Sequence, residues 1–229
     1  MALGRPQGPI TRYDVAFLTS LRAGGYRFHP SLAEFKYFVA LQLLQLGHNQ
    51  LVDLTPLAHL TNLTDLHLGS NQLVDLTPLA HLTNLTKLDL SYNQIADLTP
   101  LASLTNLWWL ELHHNQIADV TPLAHLTNLI ELDLGGNHVD LTSLAGLNNL
   151  QTLVLWGNQI TDLTLLSHLN NLTELYLGGN QIEDLSPLVA NPGLSEGDVV
   201  DLRGNPLRDK ALTEQIPALR ARGVEVIYY

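Results

Sequence analysis

The chain has 229 residues, with 11 Lys and Arg against 22 Asp and Glu, a formal charge of −11 and no cysteine. This charge excludes a nucleic-acid binder held by a basic patch, because such proteins neutralise phosphates with Lys and Arg. The lack of cysteine excludes disulfides, thiolate metal sites and cysteine nucleophiles. No run of about 18 apolar residues exists, so we expect no membrane insertion, and the N-terminus lacks the apolar stretch of a signal peptide.

The first 40 residues are predicted to form an N-terminal cap and a degenerate first coil. Thr11 and Asp14 have the spacing of a capping box that opens a short helix. Tyr26 lies where an asparagine stands in the later coils. Three phenylalanines replace framework aliphatics and are predicted to cover the apolar edge of a stack: Phe28, Phe35 and Phe38.

Residues 41–207 repeat with a period close to 22 residues. Each unit reads LxxLxLxxNxIxDLTPLAxLTN, with Leu-x-Leu before an asparagine and a nearly constant block after it. The marking asparagines are Asn49, Asn71, Asn93, Asn115, Asn137, Asn158, Asn180 and Asn205. Fixed internal periodicity of this length indicates a solenoid, in which every coil buries its leucines against the next.

Each part of the unit has a physical interpretation. Leu-x-Leu alternation predicts a short strand with one buried face. The asparagine after it would satisfy backbone groups of its own coil and of a neighbour. Thr-Pro is interpreted as an N-cap followed by proline at the first helical position. Only about five residues follow before Leu-Thr-Asn, which favours a 3₁₀ turn over an α-helix.

The C-terminal residues 208–229 are predicted to cap the other end. Residues 209–222 show an amphipathic helix pattern, with Gly223 as its stop and Pro217 as a kink. The predicted buried face consists of Leu212, Ile216 and Leu219. Val224 to Tyr228 would form a final strand, so we predict one domain over residues 1–229.

The repeat resembles the short leucine-rich repeat of bacterial internalins and of the Sds22 class, and DLTPLAxLTNL is most similar to the internalin version. The resemblance implies an α/β repeat solenoid with a concave parallel sheet and short 3₁₀ turns on the convex side. It also implies protein binding, often at a cell surface or after secretion. The immunoglobulin-like domain and wall anchor that accompany many such repeats are not found in this sequence.

The outward positions of the strands vary while the framework stays constant. Solvent-facing positions without packing constraints would drift toward Lys, Glu, Ser and Thr, whereas these carry aromatics. The aromatic candidates for partner binding are Tyr92, Trp109, Trp156 and Tyr176. They span five successive strands, about 19 Å, which suits a protein surface better than a small molecule.

Acidic residues alternate with the aromatics. Asp89, Glu111 and Asp133 occupy one column on three neighbouring strands, and His113 follows Glu111 on the same side. They are either a surface for a basic partner segment or a solvated face that keeps an acidic protein soluble. A flat sheet offers few converging oxygens, so we expect no metal site and no cofactor.

Three functional interpretations follow. The first is a non-catalytic, monomeric module that binds a partner protein on its concave sheet. The second is a structural spacer or an engineered consensus-like scaffold without a specific ligand. An enzyme or metal protein is the third and the least favoured, because an open, glycine-lined sheet excludes little water. Histidines on the convex turns, at His59, His81, His125 and His168, are interpreted as exposed framework variants.

Overall fold

The fold is an open stack of coils built on one parallel sheet. A computed structural model describes residues 15–25 and 32–229. Its ten strands follow chain order, β1 to β10, and every neighbouring pair is parallel. The strands are β1 Ser20–Arg22, β2 Leu43–Gln45, β3 Asp65–His67, β4 Lys87–Asp89, β5 Trp109–Glu111, β6 Glu131–Asp133, β7 Thr152–Val154, β8 Glu174–Tyr176, β9 Val199–Asp201 and β10 Glu225–Ile227. This architecture confirms the predicted repeat solenoid.

The convex side consists mainly of short 3₁₀ segments, as predicted. They are Leu32–Tyr37, Thr55–Leu57, Thr77–Leu79, Thr99–Leu101, Thr121–His125, Thr142–Leu144 and Thr164–His168. In the last full coil a short α-helix, α1 (Ser186–Ala190), takes their place. The leucines of all coils are buried between the two sides in one continuous core.

The predicted N-cap role of the Thr-Pro threonine is wrong. Thr55 is the first residue of its 3₁₀ segment, and no side chain caps from the position before it. Instead, Asp53 Oδ1 accepts the Thr55 N–H at 2.8 Å, and the equivalent aspartates of the later coils do the same. The carboxylate therefore closes the turn two residues before the threonine, as aspartates do in Asx turns.

The asparagines after the strands form the predicted ladder inside the stack. Asn115 Nδ2 donates to the backbone oxygens of Leu90 at 3.0 Å and Leu112 at 2.9 Å. Its Oδ1 accepts the N–H of Ile95 in the preceding coil at 3.0 Å. Each such side chain thus satisfies buried groups of two coils at once.

The C-terminal helix differs from the sequence prediction in register. A π-helical turn, Ala211–Gln215, precedes helix α2 (Ile216–Ala221), and Pro217 is the second residue of that helix. The extra residue of the turn rotates the helix, so Ala211 is buried and Leu212 is 41% exposed. Ile216 and Leu219 are buried as predicted, Gly223 ends the helix with φ 87°, and the final strand is β10.

At the N-terminal end only part of the prediction can be located. Phe35 is buried and its ring stacks on Phe38 at 5.1 Å. Thr11, Asp14, Tyr26 and Phe28 lie outside the described residues. None of the helices in the described ranges is long and apolar enough to cross a membrane.

Candidate functional site

Strand register positions the side chains of the outer, concave face. In each three-residue strand from β2 to β7 the central leucine is buried and its two neighbours are partly exposed. The pairing sets Asp89 opposite Glu111 and Glu111 opposite Asp133. The column of acids predicted from the sequence is therefore present as a ladder across β4, β5 and β6.

A backbone feature that sequence reasoning missed shapes the edge of this face. Three residues after each strand from β2 to β9 the chain turns through the left-handed region, at His48, Ser70, Tyr92, His114, Gly136, Gly157, Gly179 and Gly204. Tyr92 has φ 51° and His114 has φ 54°, a conformation that is uncommon for bulky residues. In the last four of these coils the residue at this position is glycine, which adopts the left-handed conformation readily and could have indicated it from the sequence.

Two residues in left-handed turns, Tyr92 and His114, and the residue just before a third such turn, Trp156, form what we term the aromatic ridge. The Tyr92 and His114 ring centroids are 4.3 Å apart, and those of His114 and Trp156 are 4.9 Å apart in an edge-on arrangement. Tyr92 remains 52% exposed. His114 was not among the predicted binding residues, although it shares its column with Tyr92.

Glycine in the neighbouring coil provides the seat for Trp156. A Cβ placed on Gly135 would lie 2.3 Å from Trp156 Cε2, and one on Gly136 would lie 3.1 Å from its Cζ3. The indole therefore lies flat on the backbone of the preceding coil. Its orientation is fixed before any partner arrives, so less side-chain freedom is lost on binding.

Of the other two predicted aromatics, Trp109 makes its ring contact outside the ridge, and Tyr176 adjoins the ridge at Trp156. The Trp109 ring packs against His67 at a centroid distance of 5.8 Å. The Tyr176 hydroxyl donates to Glu174 Oε2 at 3.2 Å, and Tyr176 lines a shallow depression together with Trp156 and Arg203. The concave face thus carries several separate aromatic contacts.

The acids and one histidine form a second feature, which we term the acidic cluster: Asp89, Glu111, His113 and Asp133. His113 reaches across to the next strand, where its Nδ1 lies 3.1 Å from Asp133 Oδ2, and it is 3.5 Å from Glu111 Oε2. Asp133 Oδ1 accepts the Gly135 N–H at 2.8 Å. Asp89 Oδ1 accepts both the N–H and the hydroxyl of Ser91.

The pKa shifts within the cluster follow its crowding. Burial, and then the charges of Asp133 and Asp89, raise the pKa of Glu111. Asp133, which faces the imidazole, raises the pKa of His113 despite burial. Burial alone would raise the pKa of Asp89, but His67 and Ser91 bring it below its ordinary value. The cluster therefore favours positive charge at its centre.

The same column ends differently in β9. Arg203, two residues after Asp201, holds that carboxylate with Nε 3.0 Å from each oxygen. The hydrogen bonds from Arg203 lower the pKa of Asp201. Here the charge is neutralised within the chain.

Comparisons with known proteins agree with this geometry. Family models described as leucine-rich repeats match residues 39–81 and 148–190 in two copies and residues 61–117. A search of curated proteins found no match.

Several solved structures are similar. Internalin InlF of Listeria monocytogenes is 28% identical with a TM-score of 0.85, over 99% of this chain and 72% of that one. Internalin C2 of the same organism is 34% identical with a TM-score of 0.70, over 100% of this chain and 89% of the other. The ectodomain of the Arabidopsis thaliana receptor kinase GASSHO1/SCHENGEN3, in complex with Casparian strip integrity factor 2, is 26% identical with a TM-score of 0.67, over 85% of this chain and 24% of that one.

Proposed function

Because the chain belongs to the internalin-like leucine-rich-repeat proteins, we propose that it is a non-catalytic module that binds a partner protein on its concave face. In this proposal residues 1–229 act as one domain and as a monomer. Leucine-rich-repeat proteins are in general protein-interaction modules, and the structure of the receptor ectodomain in complex with a factor supports the same use here.

The observation that carries the proposal is the seated aromatic ridge. Trp156 is held in place by the backbone of Gly135 and Gly136 and by His114, while Tyr92 remains exposed at the other end. Rigid aromatic side chains that are partly desolvated before binding are typical of interface hot spots. Tyr176 on β8 extends the proposed surface one coil beyond Trp156, and Trp109 on β5 adds to it within the coils that the ridge spans.

The acidic cluster would set the charge preference of the partner. Within the described part of the chain, the ion pairs of Asp89, Glu111 and Asp133 are made with histidines alone. Three carboxylates without a lysine or arginine attract a basic segment and would speed its encounter with this face. We therefore propose a partner segment that offers Lys or Arg beside apolar side chains.

The experiment that tests the proposal compares Trp109→Ala/Trp156→Ala with the parent in protein capture, followed by affinity measurement on each captured protein. We expect at least about a thirtyfold loss of affinity, because truncating a hot spot typically costs about 2 kcal/mol or more. The thermal melt should change little, since neither residue belongs to the leucine core.

A pair of glycine variants supplies the matched control. Gly135→Ala places a methyl group into the Trp156 indole, whereas a Cβ at the equivalent Gly47 would lie 3.1 Å from its nearest atom, a backbone oxygen. Gly135→Ala should weaken binding and Gly47→Ala should not. Parent-level affinity in both the tryptophan variant and Gly135→Ala would contradict the proposal and favour a spacer.

A further inference from the structure

Three potential metal ligands converge at the centre of the acidic cluster. One donor atom each from Glu111, His113 and Asp133 lies within 4.8 Å of the others. The His113 Nδ1 atom is 3.1 Å from Asp133 Oδ2 and 3.5 Å from the Glu111 carboxylate. The three residues come from two neighbouring coils, and all three are partly buried.

These separations match the edges of a first coordination shell. Zinc binds nitrogen and oxygen ligands at about 2.0–2.2 Å, so neighbouring donors of a tetrahedral or octahedral ion are about 3.0–3.5 Å apart. The two measured nitrogen–oxygen distances fall in that range. Small side-chain rotations would therefore bring all three donors onto one ion.

A second, independent observation concerns the imidazole. His113 Nδ1 is a buried atom and makes no well-aligned hydrogen bond to any described residue, although two carboxylates lie beside it. Its contacts with Asp133 and Glu111 are ion pairs, and the imidazole as a whole is partly exposed. Buried polar nitrogens without a well-aligned hydrogen bond are rare in folded proteins, and a metal ion between the nitrogen and the carboxylates would give this atom a well-aligned bond.

Neighbouring groups hold the donors in position. The Gly135 N–H occupies Asp133 Oδ1 and leaves Oδ2 free to face the imidazole. The Tyr92 ring packs edge-on against His113 with centroids 5.1 Å apart. Outer contacts of this kind orient ligands in metal sites.

We propose that Glu111, His113 and Asp133 bind one divalent transition-metal ion of the zinc type. An imidazole with two carboxylates suits zinc and similar ions, whereas calcium and magnesium prefer more oxygen ligands. The remaining coordination positions face the open concave side. The sequence analysis expects no metal site, because the pattern of a flat sheet does not reveal that His113 reaches sideways to Asp133.

The proposal does not depend on the proposed function, because the ion can be titrated without any partner. Zinc chloride is titrated calorimetrically into chelator-treated protein. The background variant has His59, His81, His125 and His168 changed to serine, the residue that the chain itself uses at Ser103. Removing the convex histidines prevents them from binding zinc adventitiously.

We expect one zinc per chain in this background. Glu111→Gln and Asp133→Asn should each weaken binding at least about tenfold, and His113→Ala should abolish it. Glu131→Gln, a change on the same strand as Asp133 outside the donor set, should leave binding unchanged. The His113 imidazole resonances should shift at one equivalent of zinc, and excess calcium should not reverse the shift.

Several results would overturn the proposal. Zinc binding that persists in folded His113→Ala protein, or that disappears with the convex histidines alone, would place the ion elsewhere. Displacement by calcium would contradict the choice of a zinc-type ion. Should His113→Ala melt early, unchanged affinity in the near-isosteric Glu111→Gln and Asp133→Asn proteins would be equally decisive against the site.

Discussion

The centre of the concave sheet and its C-terminal end carry acids in the same column but balance their charge differently. In β9, Asp201 is held by Arg203 two residues later. In β5, the corresponding pair is Glu111 with His113, and Asp133 in β6 is followed by Gly135, which offers only its N–H. Both arrangements occur in the same fold. The unbalanced negative charge at the centre therefore depends on the side chains that lie there and is not required by the fold.

The two regions of the sheet differ in whether their charged side chains serve the framework or remain unbalanced. At the C-terminal end of the sheet the charge of Asp201 is balanced by Arg203. Strand β9 there also pairs with β10 of the C-terminal cap. The centre leaves carboxylates and aromatic rings available to other molecules. Variants in the two regions should therefore fail in different ways.

The largest effect is expected from truncation after Leu207. This change removes strand β10, which pairs with β9, and the buried side chains of Ile216, Leu219 and Val226. It also removes Arg222, which donates to the backbone oxygens of Val189 and Asn191. An exposed apolar edge should cause aggregation, and light scattering with thermal melting would detect it. A monomeric truncated protein with the parent melting temperature would show that these residues are a dispensable tail.

A smaller effect is expected from breaking the asparagine ladder beneath the centre. Asn115→Ala leaves the buried Ile95 N–H without its partner, while the Leu90 and Leu112 carbonyls each keep a second bond from the asparagine of a neighbouring coil. It should lower the free energy of unfolding by about 1–3 kcal/mol. Asn106→Ala is the control, because that exposed side chain makes one bond, to the Thr83 oxygen at 2.8 Å, and should cost less than about 1 kcal/mol. Urea denaturation measures both, and equal losses would refute the distinction.

The smallest effects concern the contribution of single carboxylates to stability, which should have opposite signs at Asp201 and at Glu111. The pKa of Asp201 is lowered, so its charge stabilises the fold above its ordinary pKa and that contribution disappears as the pH falls through the folded value. The pKa of Glu111 is raised, so its charge costs stability above its ordinary pKa and that cost disappears as the pH falls below it.

Near pH 7, Asp201→Asn should therefore destabilise the chain and Glu111→Gln should stabilise it. Each change should be less than about 1 kcal/mol, because the arginine that pairs with Asp201 is exposed and Glu111 is itself partly exposed. Urea denaturation from pH 3 to pH 8 in the presence of a chelator measures both differences, which should shrink at the acid end. Shifts of the same sign at pH 7 would mean that the centre and the end are electrostatically alike.

Most of the fold could be predicted from the sequence, because the same pattern of leucines, asparagine and Thr-Pro recurs in most coils. Each Leu-x-Leu gave a strand, each asparagine a ladder position, and the short Thr-Pro block a 3₁₀ turn. The wrong predictions concern two places where an offset of one or two residues changes the helix register or the residue that closes a turn. The sequence predicts the threonine as the N-cap, whereas Asp53 closes the turn before it. The π-turn before helix α2 places Ala211 instead of Leu212 on the buried face.

The candidate site was less predictable, because strand alternation fixes which face a residue occupies and leaves open how far it reaches along that face. His113 was expected to face the acids, but its contact with Asp133 on the next strand was not foreseen. His114 and Tyr92 meet through left-handed turns that two bulky residues gave no reason to expect.

The asparagine ladder also bears on how such a chain can grow or shrink. From Asn71 to Asn205 each ladder Oδ1 accepts an N–H from the coil before it, as Asn71 does for Leu51 and Asn93 for Leu73. Deleting one whole 22-residue unit would leave every such N–H with an equivalent asparagine acceptor, whereas deleting part of a unit would leave an N–H without its acceptor. Gene duplication and unequal recombination can thus change the number of coils in whole steps, and with each step lengthen or shorten the surface available for binding.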